Sequence, residues 1–492
     1  MSSVSEQIKV NFCLLPGLAA NWKKKFATTV PDQLAKYKLE SVVTEVGSDI
    51  LQSLKQVIED KSTVWIALVS EQIKLFPKAF SSALVEFVPS SDTAVVYSDS
   101  VIANNRQLFT GERPDYSPEL LRSHNYLGPL VLIRRDLLSA LINEAPKTTP
   151  EAFILWILLA ASRKKAIFSH IPASCYSEAF MVQKPLRAGN EDTLEVLQEH
   201  LALTGGGEIR GTLGSGVVQT TRKVVGSPLV SIVIPTRGVF SSINGESTCF
   251  VLDAVKSIVD LSDYENFELV IVVDSVAETK VIEQLGILAG KKLKVVVWDK
   301  PFNFSQKMNY GVLHAEGEFV LLLNDDVKVI SPQWLSSMLG LAQLPNAGMV
   351  GAMLYYDDDS IQHAGHAYYL GSPTHIGLGL HRGSRGHNEA FMVEREVSGV
   401  TAACALMPKS VFLEVGGFSA LLPGNFNDVD LCLKTGWKGY DIYWTPFAEL
   451  YHFESKTRDA HVHYYELDVI EGRWGLRLND QRYWRGHPWR AN

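Results

Sequence analysis

The sequence predicts an α/β fold built on a mostly parallel sheet, and three observations predict it. Apolar runs rich in Val, Ile and Leu alternate with stretches at helical spacing, two of these runs end abruptly in acids, and the same pattern is met in both halves of the chain.

The second half shows the alternation best. Leu229 to Thr236 (Leu-Val-Ser-Ile-Val-Ile-Pro-Thr) is a β-branched strand stopped by proline. Thr248 to Leu261 places apolar residues on one helical face, and Phe267 to Asp274 is a second strand ending in an acid. Lys292 to Trp298 alternates as a third strand, Ser305 to Ala315 reads as a helix, and Phe319 to Leu323 is the next strand. Strands joined through helices need crossover connections and so lie parallel, with ligands beyond their carboxyl ends. Asp274 and the triplet Asn324-Asp325-Asp326 stand at such ends.

Bulk properties narrow the class. At 492 residues the chain predicts two to three domains, and 46% hydrophobic with 20% charged residues is a globular composition. A net charge of -8 argues against a nucleic-acid partner. Five widely spaced cysteines (Cys13, Cys175, Cys249, Cys404, Cys432) give neither a disulfide framework nor a paired metal motif, as expected in a reducing cytoplasmic setting. The N-terminus lacks the look of a secretion signal, and the longest apolar run, Ala152 to Ala161, has ten residues where a membrane helix needs about 20. Residues 203–227 hold seven glycines and no apolar period, which predicts a linker or surface loop and the domain boundary. The expected domains are therefore 1–202, 228–456 and a basic, aromatic tail at 457–492, with 203–227 between the first two. The tail from Gly472 carries five arginines and three tryptophans, suited either to an anionic membrane surface or to packing back on its own domain.

Two oxygen ligands at residues 324–326, the distant imidazole of His452 and a separate acid in Asn427-Asp428-Val429-Asp430 could together hold a divalent cation on a diphosphate and leave a carboxylate as a base. The chain reads as an enzyme.

An internal repeat relates the halves. Val64 to Leu84 lies over Phe319 to Leu339 without a gap, with Pro77 on Pro332 and with Val69, Ser70 and Glu71 facing Asn324, Asp325 and Asp326. Ser177 then falls near His452, and the stretch matching Asn427 to Asp430 falls around Ala152 to Leu155, where no acid follows Glu151. The N-terminal half is expected to be a copy of the fold without its chemistry.

Six segments carry a resemblance: Pro228 to Arg237, Pro301-Phe-Asn-Phe-Ser305, Leu321 to Asp326, Ile361-Gln-His-Ala-Gly365, Phe426-Asn-Asp-Val-Asp-Leu431 and Ala448 to Ser455. In this order they are similar to the family-two inverting glycosyltransferases of GT-A fold, and more narrowly to bacterial enzymes of O-antigen and rhamnan-type polysaccharide assembly. Val96-Tyr-Ser-Asp-Ser100 also resembles the accessory GT-A-like half that precedes such domains, weakened here at Ser100. The expected fold is thus a Rossmann-like GT-A catalytic domain behind a degenerate GT-A-like domain.

The resemblance implies roles. Asp326 is the acid that bridges the cation to the diphosphate, and Asn324 stands where the family has another acid, so that Asp325 or water supplies the missing oxygens. His452 is the third ligand of Mg²⁺ or Mn²⁺. Asp428 is the general base, while Asp430 either acts directly or stabilises a helix N-terminus. Asp274 contacts the nucleoside beside Pro235 and Thr236. His363 either shapes the acceptor side or satisfies a loop. His461 and His463 alternate like a chelate but read better as exposed.

The resulting expectation is a metal-dependent inverting transferase. Its donor is a nucleotide sugar, first dTDP-rhamnose and next a UDP-sugar, and its acceptor a glycan or lipid-linked glycan, with peripheral membrane contact and self-association left open. The competing classes are a non-catalytic assembly scaffold and a sugar nucleotidyltransferase. The latter wants a glycine-rich basic loop that Pro235-Thr-Arg-Gly238 supplies poorly.

Overall fold

Val230–Thr236 is buried at all its positions, as a strand is when helices cover both faces of its sheet. It pairs in parallel with Phe267–Asp274 on one side and Phe319–Leu323 on the other, and Leu293–Trp298 joins the outer edge in parallel. These are the four strands that the apolar runs predict. Cys404–Pro408 then enters antiparallel beside Phe319–Leu323, followed by Ala347–Tyr355, Asp441–His452 and the short Val327–Val329. This computed structural model describes residues 8–87, 92–104, 107–179, 191–243, 246–453 and 462–485, and it divides into two compact units, Met1–Thr220 and Thr221–Asn492.

The helix Phe304–His314 lies against the sheet at Gly311, where a Cβ would stand 2.5 Å from Val233 and 2.7 Å from Val272. That missing methyl lets the helix approach closely enough for its Lys307 to reach the end of the central strand. Elsewhere the predicted helix over 248–261 forms as Phe250–Leu261, buried through Val251, Ala254, Val255 and Ile258.

The first unit repeats this topology. Its strands run Glu40–Glu45, Lys9–Leu14, Trp65–Val69, Leu130–Arg134, Thr93–Asn104, Ile167–Ala179 and Ile73–Leu75, with the same parallel and antiparallel senses as their counterparts from Phe267–Asp274 to Val327–Val329.

The register differs from the gapless alignment by one residue. Trp65–Val69 corresponds to Phe319–Leu323, and Ile73 pairs with Glu178 as Val327 pairs with His452. Ser70 N–H donates to the carbonyl of Pro129 as Asn324 N–H does to that of Ala403. Hence Ser70, Glu71 and Gln72 stand where the second unit has Asn324, Asp325 and Asp326, and Glu178, not Ser177, stands at His452. Aligning Pro77 with Pro332 produced the slip, and a slip of one turns a strand's side chains over. The helix Pro150–Arg163 is buried without interruption from Ala152 to Ala161, so its apolar face replaces the acids of Asn427–Trp437.

The division between the units at Thr220 and Thr221 falls within residues 203–227, and this stretch has structure of its own. The helix Glu191–Leu203 runs into it, and Gly207–Thr212 and Val218–Arg222 form a two-stranded sheet around a turn at Gly214 and Gly216. The glycines serve the turns rather than a flexible tether. The tail is likewise built in as far as it is described. Tyr464–Trp474 is a helix, Arg477 lies 3.8 Å over the Trp437 ring, and Trp484 stacks on Phe391 at 5.5 Å. His461 and residues 486–492 lie outside the described residues. No described helix is long and apolar enough to cross a membrane.

Candidate active cleft

The carboxyl ends of the central strands open into a cleft of about 450 Å³ lined by Pro235, Thr236, Asp274, Asp325, Asp326, Asp428 and His452. These seven, read from the sequence as donor, metal and base positions, meet in one place, whereas His363 and Asp430, also singled out there, do not line it. What each does there differs.

Antiparallel pairing of Val327 with His452 sets Asp326 beside the imidazole. His452 Nε2 lies 3.2 Å from Asp326 Oδ1 and accepts a hydrogen bond from Asn324 Nδ2 at 3.0 Å. Its Nδ1 donates to Gln362 Oε1 at 2.8 Å, which leaves Nε2 as the acceptor nitrogen. In this tautomer a ring nitrogen and a carboxylate oxygen stand side by side as donors for a cation, and both residues are nearly buried, at 8% and 6% exposure. This donor set fits a divalent ion. Asn324 offers its amide nitrogen to the ring, so a ligand role for its oxygen would require the amide to turn over.

Asp325 faces the other way. Its Oδ2 accepts from Thr236 Oγ1 at 2.6 Å, and burial together with the neighbouring Asp326 charge lifts its pKa to about 6. Thr236 Oγ1 also accepts from Gly238 N–H at 3.1 Å. These two residues thus bond the strand ends to each other. Lys307 reaches in from its helix, donating to Asp274 Oδ1 and to the Thr236 carbonyl, both at 2.6 Å. It is 3% exposed, and burial lowers its pKa. Sequence reading missed this cation, because a lone lysine inside an amphipathic helix reads as solvent-facing; the signal was its place four residues before the small Gly311.

Asp428 and Asp430 lie two residues apart and have opposite fates. Asp428 faces the cleft from the first turn of Asn427–Trp437, with Oδ1 accepting from Val429 N–H at 2.8 Å and Oδ2 from Ala402 N–H at 3.3 Å. Asp430 is fully buried, with Oδ1 taking Arg473 Nη1 at 2.6 Å and Trp474 Nε1 at 2.9 Å, and Oδ2 3.2 Å from Lys434 Nζ. It ties the helix to the C-terminal segment and takes no place in the cleft. The chain enters the helix through Phe426 at φ 57°, ψ 7°, a left-handed conformation that costs a non-glycine residue about 1–2 kcal/mol. The loop before it is pinned by Glu466, whose carboxylate accepts from Gly424 N–H at 3.0 Å, Asn425 N–H at 2.8 Å and Asn425 Nδ2 at 2.9 Å. His363 is fully buried; its Nε2 accepts from Thr401 N–H at 3.2 Å and its Nδ1 meets His375 Nδ1 at 3.0 Å. Burial holds His363 well below the usual 6.5 and His366 at about 3.

Strand-end acids, a buried imidazole and a helix-borne carboxylate thus share one cleft at the carboxyl ends of a mostly parallel sheet. Residues 231–416 match the glycosyl transferase family 2 model, and the second unit carries a glycosyltransferase family 2 domain. Over 437 residues the chain is 32% identical to the uncharacterized protein y4gI of Sinorhizobium fredii, covering 86% of this chain and 47% of that protein. It is 26% identical over 437 residues to the O-antigen biosynthesis protein RfbC of Myxococcus xanthus, covering 86% and 33%. The chain therefore spans less than half the length of either relative. Among solved structures, GalNAc-T7 with UDP, GalNAc and Mn²⁺ is similar at 13% identity and a TM-score of 0.41, covering 52% of this chain and 50% of that one. The mannosyltransferase PcManGT from Pyrobaculum calidifontis with GDP-Man and Mn²⁺ is similar at 14% identity and a TM-score of 0.35, covering 52% and 74%. Likenesses of that size carry no chemistry across.

Proposed function

We propose that the second unit is an inverting glycosyltransferase that moves a sugar from a nucleotide-sugar donor to a growing surface glycan. The observation that carries this reading is His452 Nε2 turned to Asp326 Oδ1 at 3.2 Å, with Asp326 inside the stretch that matches the family-two model. Asp326 and His452 would hold Mg²⁺ or Mn²⁺, which when bound offsets the charge of the departing diphosphate. Lys307 keeps Asp274 on the cleft wall, where that carboxylate can accept from a nucleoside, with Pro235 beside it. Asp428, oriented by two backbone N–H groups, takes the proton of the acceptor hydroxyl as its oxygen attacks C1 from the face opposite the leaving group; one bond forms at C1 as the other breaks, and configuration inverts.

The O-antigen name of the Myxococcus xanthus relative supports a bacterial surface polysaccharide or its lipid-linked precursor as acceptor. The motif resemblance supports dTDP-rhamnose as donor ahead of UDP-sugars. We read the first unit as a non-catalytic copy, because Gln72 and Glu178 occupy the places of Asp326 and His452, and Glu178 is ion-paired to Arg113 at 3.1 Å. The test is a panel of nucleotide sugars, each assayed with and without Mn²⁺ for hydrolysis and thermal stabilisation. One donor should show both effects only with the cation; a panel without any cation-dependent response would overturn the reading.

A further inference from the structure

Ile361–His363 and His366–Tyr369 are joined by a turn through Gly365, whose φ of 106° suits glycine and whose Cβ would stand 3.0 Å from Val397. His366–Tyr369 then pairs antiparallel with Ser372–His375 so that His366 and His375 sit directly opposite each other. Three imidazoles thereby converge. Their ring centroids are 4.8–5.0 Å apart with planes at 75–81°, as rings arranged about one point and not stacked. Each offers a nitrogen within 4.8 Å of the others.

We propose that His363, His366 and His375 form a second cation site, of the zinc class, separate from Asp326 and His452 and on the same cleft. Three neutral imidazoles without a carboxylate suit Zn²⁺ better than Mg²⁺, which prefers oxygen. Among the described residues Nδ1 of His366 is buried without a hydrogen-bond partner, so this imidazole is not held by a protein hydrogen bond at that nitrogen. Nδ1 of His363 and of His375 are 3.0 Å apart, close to the spacing of about 3.3 Å that two nitrogens take on a tetrahedral ion with bonds of about 2.0 Å. His366 needs to approach by about 1.5 Å to complete the set. His366 and His375 line the cleft, so the fourth position faces it and takes water or a hydroxyl oxygen of a bound molecule.

Proton balance constrains the site. Thr401 N–H donates to His363 Nε2, so without an ion the His363 proton sits on Nδ1 and is shared with His375. The ion replaces that proton, which moves to Nε2 as the Thr401 peptide turns away. Binding therefore costs two hydrogen bonds, the one between His363 and His375 and the one from Thr401.

The experiment titrates Zn²⁺ and Co²⁺ into tag-free protein and into its Asp326→Ala variant, which lacks the first site. In Asp326→Ala one ion per chain should remain, with the visible absorption of a tetrahedral Co²⁺ centre. Adding His375→Ala or His366→Ala should weaken Zn²⁺ binding by at least about tenfold, since even loss of a group outside the coordination sphere costs about 10- to 100-fold, and should abolish the absorption. His375 is only half-buried on a short strand, so its variants His375→Ala and His375→Asn test the site should His366→Ala fail to fold. Absence of tetrahedral Co²⁺ absorption in Asp326→Ala, or Zn²⁺ affinity unmoved by His375 substitution, would refute the site.

Discussion

His452 directs Nε2 at Asp326 Oδ1 across 3.2 Å because Gln362 Oε1 holds its Nδ1 proton at 2.8 Å. Asp326→Ala and His452→Ala should each weaken the Mn²⁺ dependence of donor binding. Gln362→Ala should lower cation affinity by about 10- to 100-fold, the usual cost of losing a group that orients a ligand. Calorimetric titration of Mn²⁺ into each variant checks this, and unchanged affinity in Gln362→Ala removes it from the site.

Asp428→Asn should lower transfer by about 10²- to 10⁴-fold while donor and cation affinities stay as they were, because a base serves the acceptor and not the diphosphate. Steady-state turnover measured beside nucleotide-sugar binding separates the two. Near-normal turnover would sink the assignment.

Arg473→Ala should act oppositely. It strips the shortest partner from a fully buried carboxylate, Asp430, and should cost about 1.5–3 kcal/mol, the range for hydrogen bonds to charged groups. Thermal melts should show a lowered Tm in Arg473→Ala and an unchanged one in Asp428→Asn, distinguishing a structural acid from a chemical one within a single motif.

The strand ends were legible in the sequence because a β-branched apolar run stopped by acids reads as a buried strand opening into a cleft, and seven chosen residues do meet in one cleft. Gln362 and Lys307 were not legible. Gln362 acts through a partner ninety residues away in sequence, and Lys307 depends on the close helix approach at Gly311, whose place one helical turn on is a signal too slight to outweigh the exposed reading of a lone lysine. The hairpin within 203–227 was hidden because glycines needed for tight turns look like those of a tether. In the first unit, matching prolines outweighed the strand pattern and moved the register by one.

His170 in the first unit lies between two carboxylates, 2.8 Å from Asp99 Oδ1 and 2.9 Å from Asp115 Oδ1. Although burial opposes its charge, these partners raise its pKa above the ordinary 6.5. Stabilisation from a raised histidine is complete below 6.5 and is lost as pH climbs through the higher folded value. The Tm difference between the parent and His170→Gln should therefore be largest in mildly acidic buffer and shrink in alkaline buffer. A constant difference across that range would show that the imidazole is neutral in place.

The first unit should contribute stability and not turnover. Glu178 holds the position equivalent to His452, but its Oε1 is engaged by Arg113 Nη2 at 3.1 Å and by the hydroxyl of Ser100, and Arg113 is itself buried. A carboxylate already neutralised this way has little left for a cation, and Gln72, in the place of Asp326, brings no charge. Glu178→Ala should leave cation affinity and transfer rate unchanged while costing about 1.5–3 kcal/mol, because Arg113 loses a charged acceptor. The matched comparison is Asp326→Ala, which should lose transfer with little change in Tm. Turnover that falls in Glu178→Ala at a temperature where the protein remains folded would place chemistry in the first unit and end the division of labour between the two copies.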